Sequence, residues 1–201
     1  MTENLFPSFD KILPRSEKEK LLNQRGMVIW LTGLSGAGKT TIALALEKKL
    51  HEKKILTEVL DGDNVRTGIN RNLGFSEIDR MENIRRIAEV AKLFLDCGIV
   101  TICAFVSPTE TMRQEAKKII GENYFFEVFV NTPFAVCEKR DVKGLYAKVK
   151  KGELKNFTGA DSSFEMPVNA DLIIHTENTT VENCAEQILK NIVRKIIILK
   201  K

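Results

Sequence analysis

The stretch that most restricts the fold of this chain is "VIWLTGLSGAGKTTIALAL", residues 28–46. An apolar run of strand formers stops at Gly33, and Gly38-Lys39-Thr40 then opens a second run in which Ile42, Leu46 and Leu50 recur at every fourth position. The first spacing suits a buried strand and the second suits one face of an amphipathic helix. Between them, Gly33-Leu34-Ser35-Gly36-Ala37-Gly38-Lys39-Thr40 fits G-x-x-x-x-G-K-[ST], in the strand-to-helix context that gives the pattern its meaning. Glycines at 33, 36 and 38 permit left-handed backbone angles, so successive N–H groups can converge on an anion at the positive end of the helix. The gap reads as a cradle for a polyphosphate. Lys39 would reach the terminal phosphates, and the Thr40 hydroxyl would ligate Mg2+, an ion that keeps most of its water and takes further ligands from phosphate.

The rest of the chain repeats this alternation. Strand-like runs occur at 27–32, 55–60, 99–105, 124–130 and 171–175, and Ile84, Ile87, Ala88, Ala91 and Leu95 carry helical spacing between the second and third. The pattern predicts an α/β fold of the P-loop NTPase type: three α/β/α layers around a mainly parallel five-stranded sheet, with ligands at the carboxyl ends of the strands. At 201 residues, with 43% hydrophobic residues, one core is expected. The expected division is an N-terminal arm or short helix over 1–25 and a single domain over 26–201. Residues 143–170 read as a short helix followed by a long loop, the usual form of a lid. The closing "CAEQILKNIVRKIIILKK" could lie on a membrane surface, but a packing helix whose lysines complement its dipole is the ordinary reading.

Composition narrows the partners. A net charge of +4 suits anionic small molecules and is too diffuse to indicate nucleic acid. Four cysteines without a CxxC pair, and only two histidines, read as reduced thiols in a cytoplasmic protein. No signal peptide or membrane span is recognised, so no membrane partner is expected.

A phosphate cradle alone does not separate a GTPase, a motor ATPase and a small-molecule kinase. No NKxD string is present to read guanine, and the chain is short for a large ATPase. Asp61 and Asp63 fall where the second strand ends, on the ligand side, where carboxylates can handle magnesium or accept a hydrogen bond from a hydroxyl nucleophile; an N-cap or turn is the competing structural role. Arg66, Arg71, Arg80, Arg85 and Arg86 follow. Guanidinium forks suit phosphate and sulfate oxygens, so the group suggests a second anion beside the first.

The ordered strings "QRGMVIWLTGLSGAGKTT", "EVLDGDNVRTGIN", "NLGFS", "DRMENIRRIAEVAKLFLDCGIV", "AFVSP", "KGLY" and "FTGAD" resemble the adenylyl-sulfate kinase family over about residues 19–190. The resemblance implies transfer of the γ-phosphate of ATP to the 3′-hydroxyl of adenosine 5′-phosphosulfate, in sulfate assimilation, with Mg2+. It implies ATP on residues 33–41, that is Gly33 to Thr40 with Thr41, and Arg140 near the ATP adenine. Asp63 would orient the acceptor hydroxyl and take its proton, and Asp61 would assist the magnesium shell. Arg66, Arg80 and Asn83 would bind the phosphosulfate and ribose side, and Phe75 and Phe164 would sandwich the acceptor adenine. Residues 143–164 would form the lid. Val106 and Ser107 would line the acceptor pocket; Ser107 aligns with a serine described in some members as a phosphorylated intermediate, although direct transfer is more economical. The resemblance also implies a homodimer and functional coupling to a separate ATP sulfurylase.

The chain departs from the family pattern at Thr109 and Glu110, where an aromatic residue and an arginine are common, and at Val142, where proline is usual. Its lid string "GADSSFE" lacks an acid and a proline. The change at Thr109 and Glu110 points to different regulation or local substrate contacts, and those at Val142 and in the lid string point to altered lid closure rather than altered chemistry. Two rivals stand beside the main reading: a related P-loop kinase for another nucleotide or a small hydroxylated metabolite, and a catalytically silent nucleotide-binding module.

Overall fold

The computed structural model describes residues 4–154 and 157–198. Residues 1–3, 155–156 and 199–201, which belong to the expected arm, lid and domain end, lie outside the described residues. In chain order the helices and strands are α1 (Arg15–Leu22), β1 (Met27–Thr32), α2 (Lys39–Glu52), β2 (Thr57–Asp61), α3 (Gly62–Thr67), α4 (Glu77–Asp96), β3 (Val100–Ala104), α5 (Glu110–Ile120), β4 (Phe125–Asn131), α6 (Phe134–Arg140), α7 (Leu145–Lys150), β5 (Leu172–His175) and α8 (Val181–Ile196).

The five strands form one parallel sheet in the order β2-β3-β1-β4-β5. Every residue of β1 is buried, as expected of a central strand covered on both faces. Its side chains alternate between two cores. Met27, Ile29 and Leu31 pack with Ile42, Leu46 and Leu50 of α2 and with Ile188 and Ile192 of α8. Val28 and Trp30 face the other way, toward Ile84, Ile87 and Ala91 of α4 and Met112 and Ala116 of α5. The three-layer arrangement predicted from the alternation is therefore present. After β3 the chain crosses β1 to reach β4, and this reversal leaves a crevice at the carboxyl end of β1, where the phosphate loop begins.

The closing helix α8 buries Cys184, Ala185, Ile188, Leu189, Ile192 and Ile196, with Arg194 and Lys195 in its last turn. It is a packing helix with a basic end. No helix among the described residues is long and apolar enough to cross a membrane. At the other terminus, α1 lies over the domain. Lys18 donates to the carbonyl of Asp96 at 3.0 Å, and Glu19 accepts from the Gly26 N–H at 3.0 Å.

Candidate active site

The phosphate loop takes the shape its glycines allow. Gly36 and Gly38 have φ of +77° and +101°, and a Cβ at Gly33 would meet the carbonyl oxygen of Val130 at 2.6 Å. Gly38 caps the start of α2, so the first N–H groups of that helix join those of the loop. Lys39 is buried and donates to the carbonyls of Gly33 and Leu34 at 2.9 and 2.8 Å. Burial, with Lys143 adding to it, pushes its ammonium down to about 8.

The two acids after β2 have different surroundings. Asp61 is buried; one oxygen accepts from the Thr40 hydroxyl at 2.7 Å and the other accepts from the Asp63 N–H at 3.0 Å, capping α3. The capping role is thus present in Asp61, whose second oxygen is held by Thr40. Asp63 is exposed and pairs with the ammonium of Lys143, from the turn between α6 and α7. Sequence reasoning placed Lys143 in the lid without a role; an ion pair spanning 80 residues leaves no local signal. The Thr40 hydroxyl and the Asp61 carboxylate form a small oxygen donor set, which fits an ion that completes its shell with water and phosphate.

Of the five arginines, two converge. The Arg66 guanidinium lies over the Phe75 ring at 4.4 Å and donates to the carbonyls of Leu73 and Gly74, each at 3.0 Å. Arg80 lies 5.8 Å from the same ring and donates to Phe75 O at 3.0 Å and to the Thr158 hydroxyl at 2.9 Å. Burial lowers the pKa of both guanidiniums, and Arg66 lowers that of Arg80 further. Two cations this close mark a place suited to an anion. Arg85 and Arg86 instead turn to Glu82, each with a contact of 2.7 Å, and hold its carboxyl down at about 2. Arg71 is exposed. Asn83 is buried, its carbonyl accepting from Asn70 at 3.0 Å.

Ser107 sits in the turn after β3 with φ of +44°, an uncommon conformation for a residue with a Cβ. Its hydroxyl accepts from the Trp30 indole N–H at 2.9 Å, and its carbonyl accepts from Arg113 at 2.9 Å. Val106 is half-buried and its carbonyl accepts from the Thr32 hydroxyl at 2.7 Å. Neither Trp30 nor Arg113 was singled out as a support for this turn. Arg113 is fully buried and also meets Glu110 at 2.6 Å and Glu127 at 3.1 Å. Glu110, a departure from the family pattern, thus serves Arg113, while Thr109 caps α5 by accepting from the Met112 N–H.

Phe164 stacks on Phe129, with centroids 6.0 Å apart, while Phe75 lies against the two guanidiniums; among the described residues no ring contact joins Phe75 to Phe164. Arg140, at the end of α6, reaches the phosphate loop from outside: it contacts the carbonyls of Gly36 and Ala37 at 3.4 and 3.3 Å and that of Thr176 at 3.1 Å. Thr41 is exposed in the first turn of α2. The lid stretch contributes Lys143 on Asp63, Tyr146 on the loop and Thr158 on Arg80.

A family model described as adenylylsulphate kinase matches residues 25–175. An adenylyl-sulfate kinase of Bacteroides fragilis is 55% identical over 193 residues, covering 96% of each chain, and one of Clostridium acetobutylicum is 52% identical over 178 residues, covering 89% of this chain and 88% of its own. Among solved structures, the Mycobacterium tuberculosis APS kinase CysC in complex with AMPPNP and APS is 44% identical with a TM-score of 0.82, over 84% of this chain and 98% of that one.

Proposed function

The chain belongs to the adenylylsulphate kinase family, and from that premise we infer that it transfers the γ-phosphate of ATP to the 3′-hydroxyl of adenosine 5′-phosphosulfate, giving ADP and 3′-phosphoadenosine 5′-phosphosulfate. The observation that carries this reading is the relative solved with AMPPNP and APS together, which this chain matches along almost the whole of that protein.

The residue roles proposed are those the family resemblance implies, and the geometry of the loop, the acids and the arginines supports them. ATP lies along Gly33–Thr41, with its phosphates in the loop and Arg140 on the adenine side. Lys39 exchanges its two loop carbonyls for phosphate oxygens. The acceptor lies across from it, its phosphosulfate and ribose against Arg66, Arg80 and Asn83 and its pocket wall at Val106 and Ser107. Phe75 takes one face of the acceptor adenine; Phe164 takes the other once it leaves Phe129.

Asp63 accepts the hydrogen bond of the 3′-hydroxyl, and Lys143 is the counter-ion that this hydroxyl has to share or displace. As the 3′-oxygen bonds to the γ-phosphorus, the bond to the β,γ-bridging oxygen breaks, the hydroxyl proton passes to Asp63 and ADP leaves. The transition state is loose, so alignment and charge neutralisation supply most of the rate. Thr40 and Asp61 would hold Mg2+, which when bound withdraws charge from the phosphate oxygens. Transfer is direct. The Ser107 hydroxyl is buried and engaged by Trp30, which supports a role as pocket floor rather than nucleophile.

The proposal extends to a homodimer, supported by the exposed apolar side chains of Leu5, Phe6 and Phe9, and to a separate ATP sulfurylase that supplies the sulfated nucleotide. Four unpaired thiols suit a reducing, cytoplasmic setting. Mass analysis of the products from ATP, Mg2+ and adenosine 5′-phosphosulfate tests the central reaction: a gain of one phosphate on the sulfated nucleotide is expected. Turnover of a nucleoside monophosphate with none of the sulfated acceptor would assign another kinase, and binding of both nucleotides without transfer would assign a silent module.

A further inference from the structure

The carbonyl oxygens of Ser35, Gly36 and Ala37 are held from outside the phosphate loop. The phenol of Tyr146, on α7, donates to Ser35 O at 2.8 Å. The Thr132 hydroxyl, just after β4, donates to Ala37 O at 3.0 Å, and Arg140 reaches the same oxygen at 3.3 Å. A trans peptide is planar, so an oxygen held on one side turns the N–H of the next residue to the other. Tyr146 therefore orients the N–H of Gly36, and Thr132 with Arg140 orients the N–H of Gly38. Both are among the loop glycines whose positive φ lets its peptides converge.

Tyr146 is held firmly enough to perform this task. Its ring is buried and meets Phe134 and Phe157 edge-on, at 5.5 and 4.9 Å. The N–H groups of Tyr146 and Ala147 both donate to the Asp141 carboxylate at 3.0 Å, which fixes the start of α7. Burial raises the pKa of the phenol, so it is a neutral donor at any working pH. Ser35 and Gly36 line a small cleft with Asp141, Lys143 and Tyr146. The Tyr146 hydroxyl thus acts on the loop through the Ser35 carbonyl.

We propose that Tyr146 is a positioning residue of the ATP site: its hydroxyl sets the Ser35–Gly36 peptide so that the Gly36 N–H faces the polyphosphate, and in doing so it couples the lid helix α7 to nucleotide affinity. This rests on the ATP site assigned above. Tyr146→Phe keeps both ring contacts and removes only the hydroxyl. Calorimetry should show ATP and ADP binding weakened about three- to tenfold, the range expected for one net hydrogen bond. KM for ATP should rise by the same factor, while kcat and KM for the sulfated acceptor stay within about twofold.

Coupling is reciprocal, so ATP should slow amide exchange in α7 of the unmodified protein and do so less in Tyr146→Phe. Unchanged nucleotide affinity in the variant, an equal rise in both KM values with a lowered melting temperature, or no protection of α7 by ATP would each overturn the proposal. An unmodified protein that binds neither ATP nor ADP would overturn the ATP site itself.

Discussion

Lys39 carries its charge at a cost, because burial pushes its ammonium down to about 8. A polyphosphate beside it favours the charged form and raises that value again. In the free protein the lysine loses its charge as the pH rises through about 8 and keeps most of it at pH 7. Nucleotide binding should therefore take up more protons at pH 9 than at pH 7, where Lys39 adds little. Titration calorimetry in two buffers of different ionisation heat reads this directly, and Lys39→Met should abolish the uptake along with several powers of ten in turnover. Asp63 makes the opposite case, since it is exposed and lies outside the loop. Asp63→Asn keeps the shape, loses the proton acceptor and should lower kcat by about a hundredfold or more, with ATP affinity within about twofold. A variant turning over at the normal rate would remove Asp63 from the mechanism.

At the scale of elements, local pattern carried the strands, α2 and α4, and failed where the chain's partner is distant. The second strand was expected from Ile55 but begins at Thr57: Gln24 takes the Leu56 N–H and shares its carbonyl with the Val100 N–H of β3. The short helices α3 and α6 have too few turns for periodicity to speak, while α7 is the short helix expected at the start of the lid, set in place by the Asp141 carboxylate. The phosphate loop and the paired acids were legible because each is written within a few neighbouring residues, whereas the packing of Arg66 and Arg80 on Phe75 was not read; Lys143, Tyr146 and Trp30 were missed because their partners lie 77 to 111 positions away. The end of the lid is a further example. Glu165 accepts from the Glu110 N–H at 2.7 Å and donates its own N–H to Pro108 O at 2.8 Å, pinning the lid to the start of α5. Glu165→Ala removes the first bond and leaves the second. Amide exchange over residues 157–165 should accelerate about three- to tenfold, with α2 and α4 unaffected. Equal exchange in variant and parent would show that the pin does not hold the lid.

Across the whole molecule the two ends of the parallel sheet have separate tasks. The candidate site residues gather at the carboxyl end, and the amino end is closed by the segment after α1. Gln24 is the closure: fully buried, it donates to Leu56 O at 3.0 Å and Gly98 O at 2.9 Å and accepts from the Leu56 N–H at 2.7 Å, joining the approaches to β2 and β3. Its own backbone pairs with Ile197, so the segment after α1 and the residue that follows α8 meet at this point. Gln24→Ala would leave the Leu56 N–H and the Gly98 carbonyl short of partners, a loss of roughly 2–3 kcal/mol, and should lower the melting temperature by about 5–10 °C for a chain of this size. Gln24→Glu should be worse, since an ionised carboxylate has no proton to give the two carbonyls it would face and would sit uncompensated in the interior. Because the staple lies at the opposite end of the sheet from the phosphate loop, kcat at 25 °C should stay within about twofold in whatever fraction remains folded. Melting curves for both variants beside single-temperature turnover separate the two tasks: stability unchanged in both would remove the staple, and turnover lost in a folded Gln24→Ala protein would show that the two ends of the sheet are not independent.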